Sequence, residues 1–334
     1  MNSQQKAQLV PDEPNLQTFY HFDQTADPPQ WRPSTETPTP PAQTDQIHLL
    51  SWNIDFSTSA GPQRMTAALQ YLYTLLTEHE KNDGAPTVML LQEMVDSDLT
   101  VIQQTSWVQE RFYITDISDS HFGVSYETTT LVDRRLPPQR VFRVPYSRSC
   151  MDRDALFVDV KVNDRTVRIC NTHLESLAVG MRMRPVQLKL ASEFMHGTNS
   201  NPDGREEIQL PKPHAAILAG DLNAFAPEDR LAPGECGLQD AFLTLGGKED
   251  TEEGYTWGYQ NPPWALGKFP PSRMDKVLLC GGLETKSFEL IGKGLKTTIE
   301  FYHSDYEEED SSDSDEDIWI TDHFGLEAHF RVVP

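Results

Sequence analysis

Two apolar runs of strand length, IHLLSW (47–52) and TVMLLQ (87–92), bracket the stretch QRMTAALQYLYTLLTEHE, in which Met65, Leu69, Leu72 and Leu76 recur on one helical face. A strand–helix–strand order requires a sheet with a helix laid across it. Strand-like stretches follow at 120–133, 139–144, 154–162 and 166–173, then a helix over 182–196, then AAILAGD (215–221), RMDKVLLC (273–280) and FGLEAHFRVV (324–333). In the last of these Leu326, Ala328, Phe330 and Val332 alternate with Glu327, His329 and Arg331, the period of a half-buried strand. The order β-α-β, many strands, β-α-β predicts an α/β sandwich: two sheets covered by helices.

Before residue 47 the pattern is different. Residues 1–46 are rich in Pro, Gln, Thr and Asp, a composition that buries no core and reads as a largely disordered tail. Phe19, Tyr20, Phe22 and Trp31 interrupt it and offer a way to dock on the domain of residues 47–334. The four cysteines are scattered with no CxxC pair, which argues against a disulfide scaffold or a zinc site and suits a reducing compartment. The N-terminus carries no apolar signal region and no run reaches membrane-spanning length, so a soluble intracellular protein is expected, nuclear or cytoplasmic. The net charge of −23 excludes an extended grip on a nucleic-acid duplex; any such contact must be short and local.

Polar residues stand repeatedly at the ends of the apolar runs. LLSWNID places Asn53 and Asp55, MLLQE places Glu93, and RICNTHLES places His173, Glu175 and Ser176. ILAGDLN places Asp221 and Asn223, SRMDKVLL places Arg273 and Asp275, and ITDHFGL places Asp322 and His323. A single acid at a strand end is ordinarily a solvated turn residue. Six such events, all Asn, Asp, Glu or His, supply what a hard-cation phosphate site needs: oxygen ligands, a base and phosphate donors on rigid elements.

The ordered series WNID, LQE, THLES, GDLN, RMD, TDHFGL resembles the endonuclease/exonuclease/phosphatase superfamily from Leu49 to Val333. The resemblance implies a deoxyribonuclease I-like, four-layer α/β sandwich of two mixed sheets packed face to face, and a phosphodiesterase using Mg²⁺, with Mn²⁺ able to substitute. It implies Asp55, Glu93 and Asp322 as metal residues. It implies Asp221 as the base that takes a proton from water, with Asn223 orienting water or phosphate. His323 would donate to a phosphoryl oxygen with Asp275 fixing its tautomer, and Asn53 and His173 would hold the remaining oxygens. The pairing of WNID with HLES is similar to the branch that releases tyrosyl adducts from DNA 5′ ends in DNA repair. Arg153 in MDRDALFVDV, Ser176, Arg184 with Gln187, and Trp257 in YTW agree with it as substrate-binding positions. Leu177-Ala178 after HLES and Phe225-Ala226 after GDLN differ from that branch and remove expected phosphate or DNA contacts.

Several readings stay open at this stage. Trp257 either stacks an unpaired base or fills the core. Arg134, Arg135, Arg140, Arg143, Arg148 and Arg153 form either a solvated strand pair or a phosphate-backbone contact. The segment 305–317, DYEEEDSSDSDED, holds nine acids and no base; it is either a solvated loop or an electrostatic autoinhibitor near the site. Abasic DNA, a phosphoinositide or RNA are alternative substrates within the superfamily, and a non-catalytic binding protein on the same fold is the alternative outside it.

Overall fold

The apolar runs become strands that are buried on both faces, which is why they read as continuous rather than alternating. A computed structural model describes residues 9–34, 43–82, 84–119, 126–198, 210–261, 267–299 and 316–334. One sheet has the spatial order β1 (Asn15–Gln17), β8 (Arg140–Pro145), β9 (Asp154–Val162), β10 (Arg165–His173), β11 (Ala215–Asp221), β13 (Asp275–Gly281) and β12 (Gln239–Asp240). The other runs β14 (Leu283–Ile291), β17 (Gly325–Val332), β4 (Gln46–Asn53), β5 (Thr87–Met94), β7 (Glu127–Asp133), β6 (Phe112–Ile114), β2 (Phe19–Asp23) and β3 (Gln30–Ser34). A separate ribbon pairs β15 (Lys296–Ile299) with β16 (Glu316–Trp319). The helices are α1 (Gly61–Asn82), α2 (Asp96–Gln104), α3 (Ser106–Arg111), α4 (Arg184–His196), α5 (Pro227–Glu235) and α6 (Ala241–Thr244).

The period of two along each strand sorts side chains into three cores. Leu49, Val88 and Leu90 meet Val158, Ile169, Ile217 and Val277 between the sheets. Leu50, Trp52, Met89 and Leu91 point the other way, onto Met65, Leu69, Leu72 and Leu76 of α1. Phe157, Cys170, Leu218 and Leu278 pack under Leu188, Ala191, Phe194 and Met195 of α4. The result is the expected four-layer α/β/β/α sandwich with two mixed sheets.

Two parallel pairs, β4 with β5 and β10 with β11, are each joined by a covering helix, α1 and α4 respectively. Their carboxyl ends lie at the same rim. Gly220 is needed there: a Cβ at that position, where φ is +145°, would stand 1.9 Å from the Thr172 carbonyl oxygen.

Residues 15–34 depart from the expected tail. β1 extends the first sheet and the β2–β3 hairpin extends the second, beyond β6. Aromatic side chains do this despite the polar composition: Phe19 enters the core between the sheets, and Tyr20 and Trp31 pack against the helix-covered core. Phe19 is buried with its ring edge-on to Tyr113 at 5.4 Å, and the Trp31 indole N–H donates to the Gln103 carbonyl at 3.1 Å. The tail's residues 1–8 and 35–42, Trp264, and most of the acidic segment lie outside the described residues.

Phe19→Ala is expected to destabilise the protein by ~3 kcal/mol, the cost of a large core truncation, measured from the chemical-denaturation midpoint. An unchanged midpoint would return this segment to a loose tail.

Candidate active site

The site begins with two short turns of the same design. Asn53 ends β4, and its side-chain oxygen accepts the Asp55 amide at 2.9 Å. Asp221 ends β11, and its Oδ1 accepts the Asn223 amide at 2.8 Å. Both are Asx turns, and the third residue of each is left-handed, with φ of 57° at Asp55 and 48° at Asn223. Glu93, one residue before the end of β5, is also left-handed at 59°. Side chains rarely hold this conformation without surrounding contacts that fix it. For the first turn that support is Arg64, which the sequence reading passed over. Its buried guanidinium donates to the carbonyls of Ile54, Asp55, Thr58, Ser59 and Ile320.

Strand register sets the acids side by side. His173 on β10 lies opposite Asp221 on β11, which lies opposite Asp275 on β13. The second sheet reaches across: Asn53 Nδ2 donates to Asp221 Oδ2 at 3.1 Å. His173 Nε2 is 3.3 Å and His323 Nε2 3.7 Å from the same oxygen. Burial first, then the Asp275 charge, push the Asp221 carboxyl up to about 6.

The two histidines are in opposite states. Arg153, which is always a donor, gives a hydrogen bond to His173 Nδ1 at 2.9 Å, so His173 carries its proton on Nε2. Burial and the Arg153 charge hold His173 far below its usual range, as a neutral donor. His323 Nδ1 lies 2.8 Å from Asp275 Oδ2, and Thr256 Oγ1 donates to that same oxygen at 2.6 Å. Burial opposes charge on His323, but Asp275, Asp322 and Asp221 together raise it well above the usual value, as a cation.

A third group is purely acidic. Asp55 accepts from the amide and hydroxyl of Ser57, Glu93 accepts from the Phe56 amide at 3.0 Å, and Asp322 accepts from the Trp257 indole N–H at 2.9 Å. Burial, then the neighbouring Asp322, push Glu93 up to about 7. One wall is aromatic: Phe56 stacks on Tyr126 at 3.8 Å, and the Arg153 guanidinium lies 5.1 Å from the Tyr126 ring centre.

The structure thus brings together Asn53, Asp55, Glu93, His173, Asp221, Asn223, Asp275, Asp322 and His323. Arg153 and Ser176 stand behind His173, bonded to each other at 3.0 Å, and Trp257 is tied to Asp322. Arg184 does not join them. It is 1% exposed, paired through two nitrogens with Asp229 and capping the carbonyls of Glu175 and Leu177, so a substrate contact is sterically closed to it. Glu175 and Arg273 are likewise internal, Glu175 on Ser149 and the Cys150 amide, Arg273 on Asp240 and Glu249. In the arginine-rich stretch Arg134, Arg135 and Arg143 are bound to carbonyls or carboxylates of the fold rather than presented to a phosphate backbone. Thr256 was overlooked although it sits inside the YTW motif; its hydroxyl also accepts the amides of Met274 and Asp275.

The sequence matches the Endonuclease/Exonuclease/phosphatase family over residues 50–323. The chain belongs to that family. Among curated relatives, proteins named 5′-tyrosyl-DNA phosphodiesterase from Caenorhabditis briggsae and Caenorhabditis elegans are each 25% identical over 250 residues. These matches span 74% of this chain but only 63% and 61% of those proteins. Similar solved structures include C. elegans TDP2, at 22% identity and a TM-score of 0.59 over 86% of this chain and 74% of that one. D. rerio TDP2 complexed with a single-strand DNA product gives 18% identity and a TM-score of 0.59 over 86% and 99%. These structures share the fold. The family match covers the motifs WNID, LQE, THLES, GDLN and RMD whole and TDHFGL through His323.

The raised Glu93 carboxyl sets a stability test. A carboxyl whose folded value lies above its unfolded value binds its proton more tightly in the native state, so stability falls as pH rises from about 4.5 through 7. Glu93→Gln is therefore expected to raise the denaturation midpoint of the metal-free protein at pH 8 and to leave it unchanged near pH 4, in urea titrations at both values. A midpoint raised equally at both would mean that the cost of ionising buried Glu93 beside Asp322 is not the cause.

Proposed function

We propose that this chain is a divalent-metal-dependent phosphodiesterase that releases tyrosyl adducts from DNA 5′ ends by in-line attack of water on phosphorus, with Mg²⁺ as the ion and Mn²⁺ able to replace it. The observation that carries this reading is Asp221. One carboxylate oxygen is anchored to a backbone amide, and the other is shared by Asn53 and two histidines of opposite charge state. The names of the curated relatives supply the substrate class.

The residues fit a hard cation. Asp55, Glu93 and Asp322 offer only oxygen, and the upward push on Glu93, from burial first and then from Asp322 and Asp55, is one that a divalent ion would relieve. When bound, such an ion neutralises phosphoryl oxygens and lowers the pKa of its water. Each protein group then has one task. Asp221, titrating near 6, is ionised at neutral pH and accepts the proton of the attacking water. His173 donates its Nε2 proton to a phosphoryl oxygen, with Arg153 fixing the tautomer. His323, charged and backed by Asp275, donates from Nε2 to a second oxygen. Asn53 holds Asp221 and remains within reach of the same phosphate. The leaving tyrosyl oxygen departs as a phenolate of pKa about 10, which needs less proton assistance than an alkoxide. The work of such an enzyme lies on cellular DNA, in the nucleus, the cytoplasm or both.

The test is a cleavage panel with Mg²⁺: 5′-phosphotyrosyl DNA, 3′-phosphotyrosyl DNA, an abasic duplex and a soluble phosphoinositide. The 5′-tyrosyl substrate is expected to turn over fastest, with kcat/KM rising through pH 6. Asp221→Asn should lose ~10²–10⁴-fold in kcat while keeping the fold. Preference for the abasic duplex or the phosphoinositide would replace the substrate assignment. Near-normal kcat in folded Asp221→Asn would remove the base.

A further inference from the structure

Three histidines meet at the opposite end of the larger sheet from the candidate active centre. His48 lies five residues before Asn53 on β4, about 17 Å away along the strand. His329 on β17 is its direct partner in register. Both point to the helix-covered face, where His79 from the last turn of α1 joins them. The ring centres are 4.0 Å (His48–His79), 4.5 Å (His48–His329) and 4.8 Å (His79–His329) apart. One nitrogen of each ring lies within 4.8 Å of the other two. Glu327, two residues before His329, sets Oε1 2.8 Å from His48 Nε2 and 3.7 Å from His329 Nε2.

We propose that His48, His79 and His329, with Glu327 as the fourth ligand, form a site for a divalent transition metal of the zinc class, which clips the end of α1 to β4 and β17. Three imidazoles and one carboxylate suit Zn²⁺ or Co²⁺ in tetrahedral geometry and not Mg²⁺, so this centre is chemically distinct from the all-oxygen group near Asn53. The outer partners are those metal-bound histidines use. His79 Nε2 is 2.9 Å from the Ala85 carbonyl oxygen, to which it donates, leaving the lone pair on Nδ1. His48 Nδ1 is 2.8 Å from Thr87 Oγ1, so the ring can carry its proton there and turn Nε2 to a metal. Without metal, the Nε2 proton bonds to Glu327; with metal, the ion takes its place. Entry is from the side of His329 and Glu327, whose side chains are 21% and 16% exposed while that of His48 is fully buried.

The experiment uses the full chain in excess Mg²⁺, titrated with Co²⁺ and followed by visible absorption, then with Zn²⁺ in competition with a chromophoric chelator. Wild type and Glu93→Gln are both expected to give one equivalent of an intense tetrahedral Co²⁺ band. His79→Gln and His329→Gln should each lose that band and bind Zn²⁺ at least about tenfold more weakly. Zn²⁺ should also raise the Tm of wild type more than that of either histidine variant. The proposal is overturned if wild type shows no such band. It is equally overturned if the band survives in both histidine variants, or if Glu93→Gln is the variant that loses it.

Discussion

The arrangement depends on one hydrogen bond between two sheets. Asn53 belongs to one sheet and Asp221 to the other, and the 3.1 Å contact between them is buried. Between the sheets the interior is aliphatic through Leu49, Val158, Ile169 and Ile217. It turns polar toward the rim, where Asn171 donates to the carbonyls of Leu91 and Thr129 and Gln92 donates back to Asn171 at 2.9 Å. The Asn171 side chain and the Gln92 amide nitrogen are desolvated and find partners in the facing sheet, and the register of one sheet on the other follows. Asn53 and Asp221 are the outermost members of this series, the point where it reaches substrate-accessible space.

Around that bond the chain builds the same device twice. Two parallel strands joined over a covering helix end side by side, and one of them ends on an Asx turn: the first strand, β4, in one copy and the second strand, β11, in the other. The first copy yields Asn53, Asp55 and Glu93; the second yields His173, Asp221 and Asn223. Arg64 stabilises the first copy by filling five carbonyls, and Gly220 permits the close strand approach of the second. The two copies differ in charge. The first collects carboxylates and is suited to a cation. The second pairs carboxylates with histidines and is suited to proton transfer. Asp322 and His323, adjacent in sequence, join one to each.

Much of this was legible because it is local. Nine of the strands and the two long helices announce themselves in the sequence as apolar or periodic runs, and the acids and histidines of the site stand at the ends of such runs. What was not legible depends on distant partners. Arg184 looked like a phosphate ligand, and its true partner, Asp229, lies 45 residues away. Arg143 looked like a surface cation, yet it is 1% exposed and paired with Asp116 and Asp154. No local signal distinguishes an arginine that meets a phosphate from one that meets a carboxylate of the fold. The strands at 15–34 were missed for a related reason: their polar composition is outweighed by a sheet edge that exists only after residues 112–114 and 140–145 are in place. β14 (Leu283–Ile291) was missed because its alternation breaks: Glu284 and Lys286 are followed by Glu289, past a register shift between Thr285 and Ser287.

If the bond between the sheets organises catalysis, Asn53 and Asp221 act as one unit. A double-mutant cycle on single-turnover rates tests this directly, with Asn53→Ala, Asp221→Asn and both together on 5′-phosphotyrosyl DNA. The account predicts strong non-additivity, the double variant falling within a few-fold of the slower single. A double variant slowed by the product of the two separate losses would show that the residues work independently, and would contradict it.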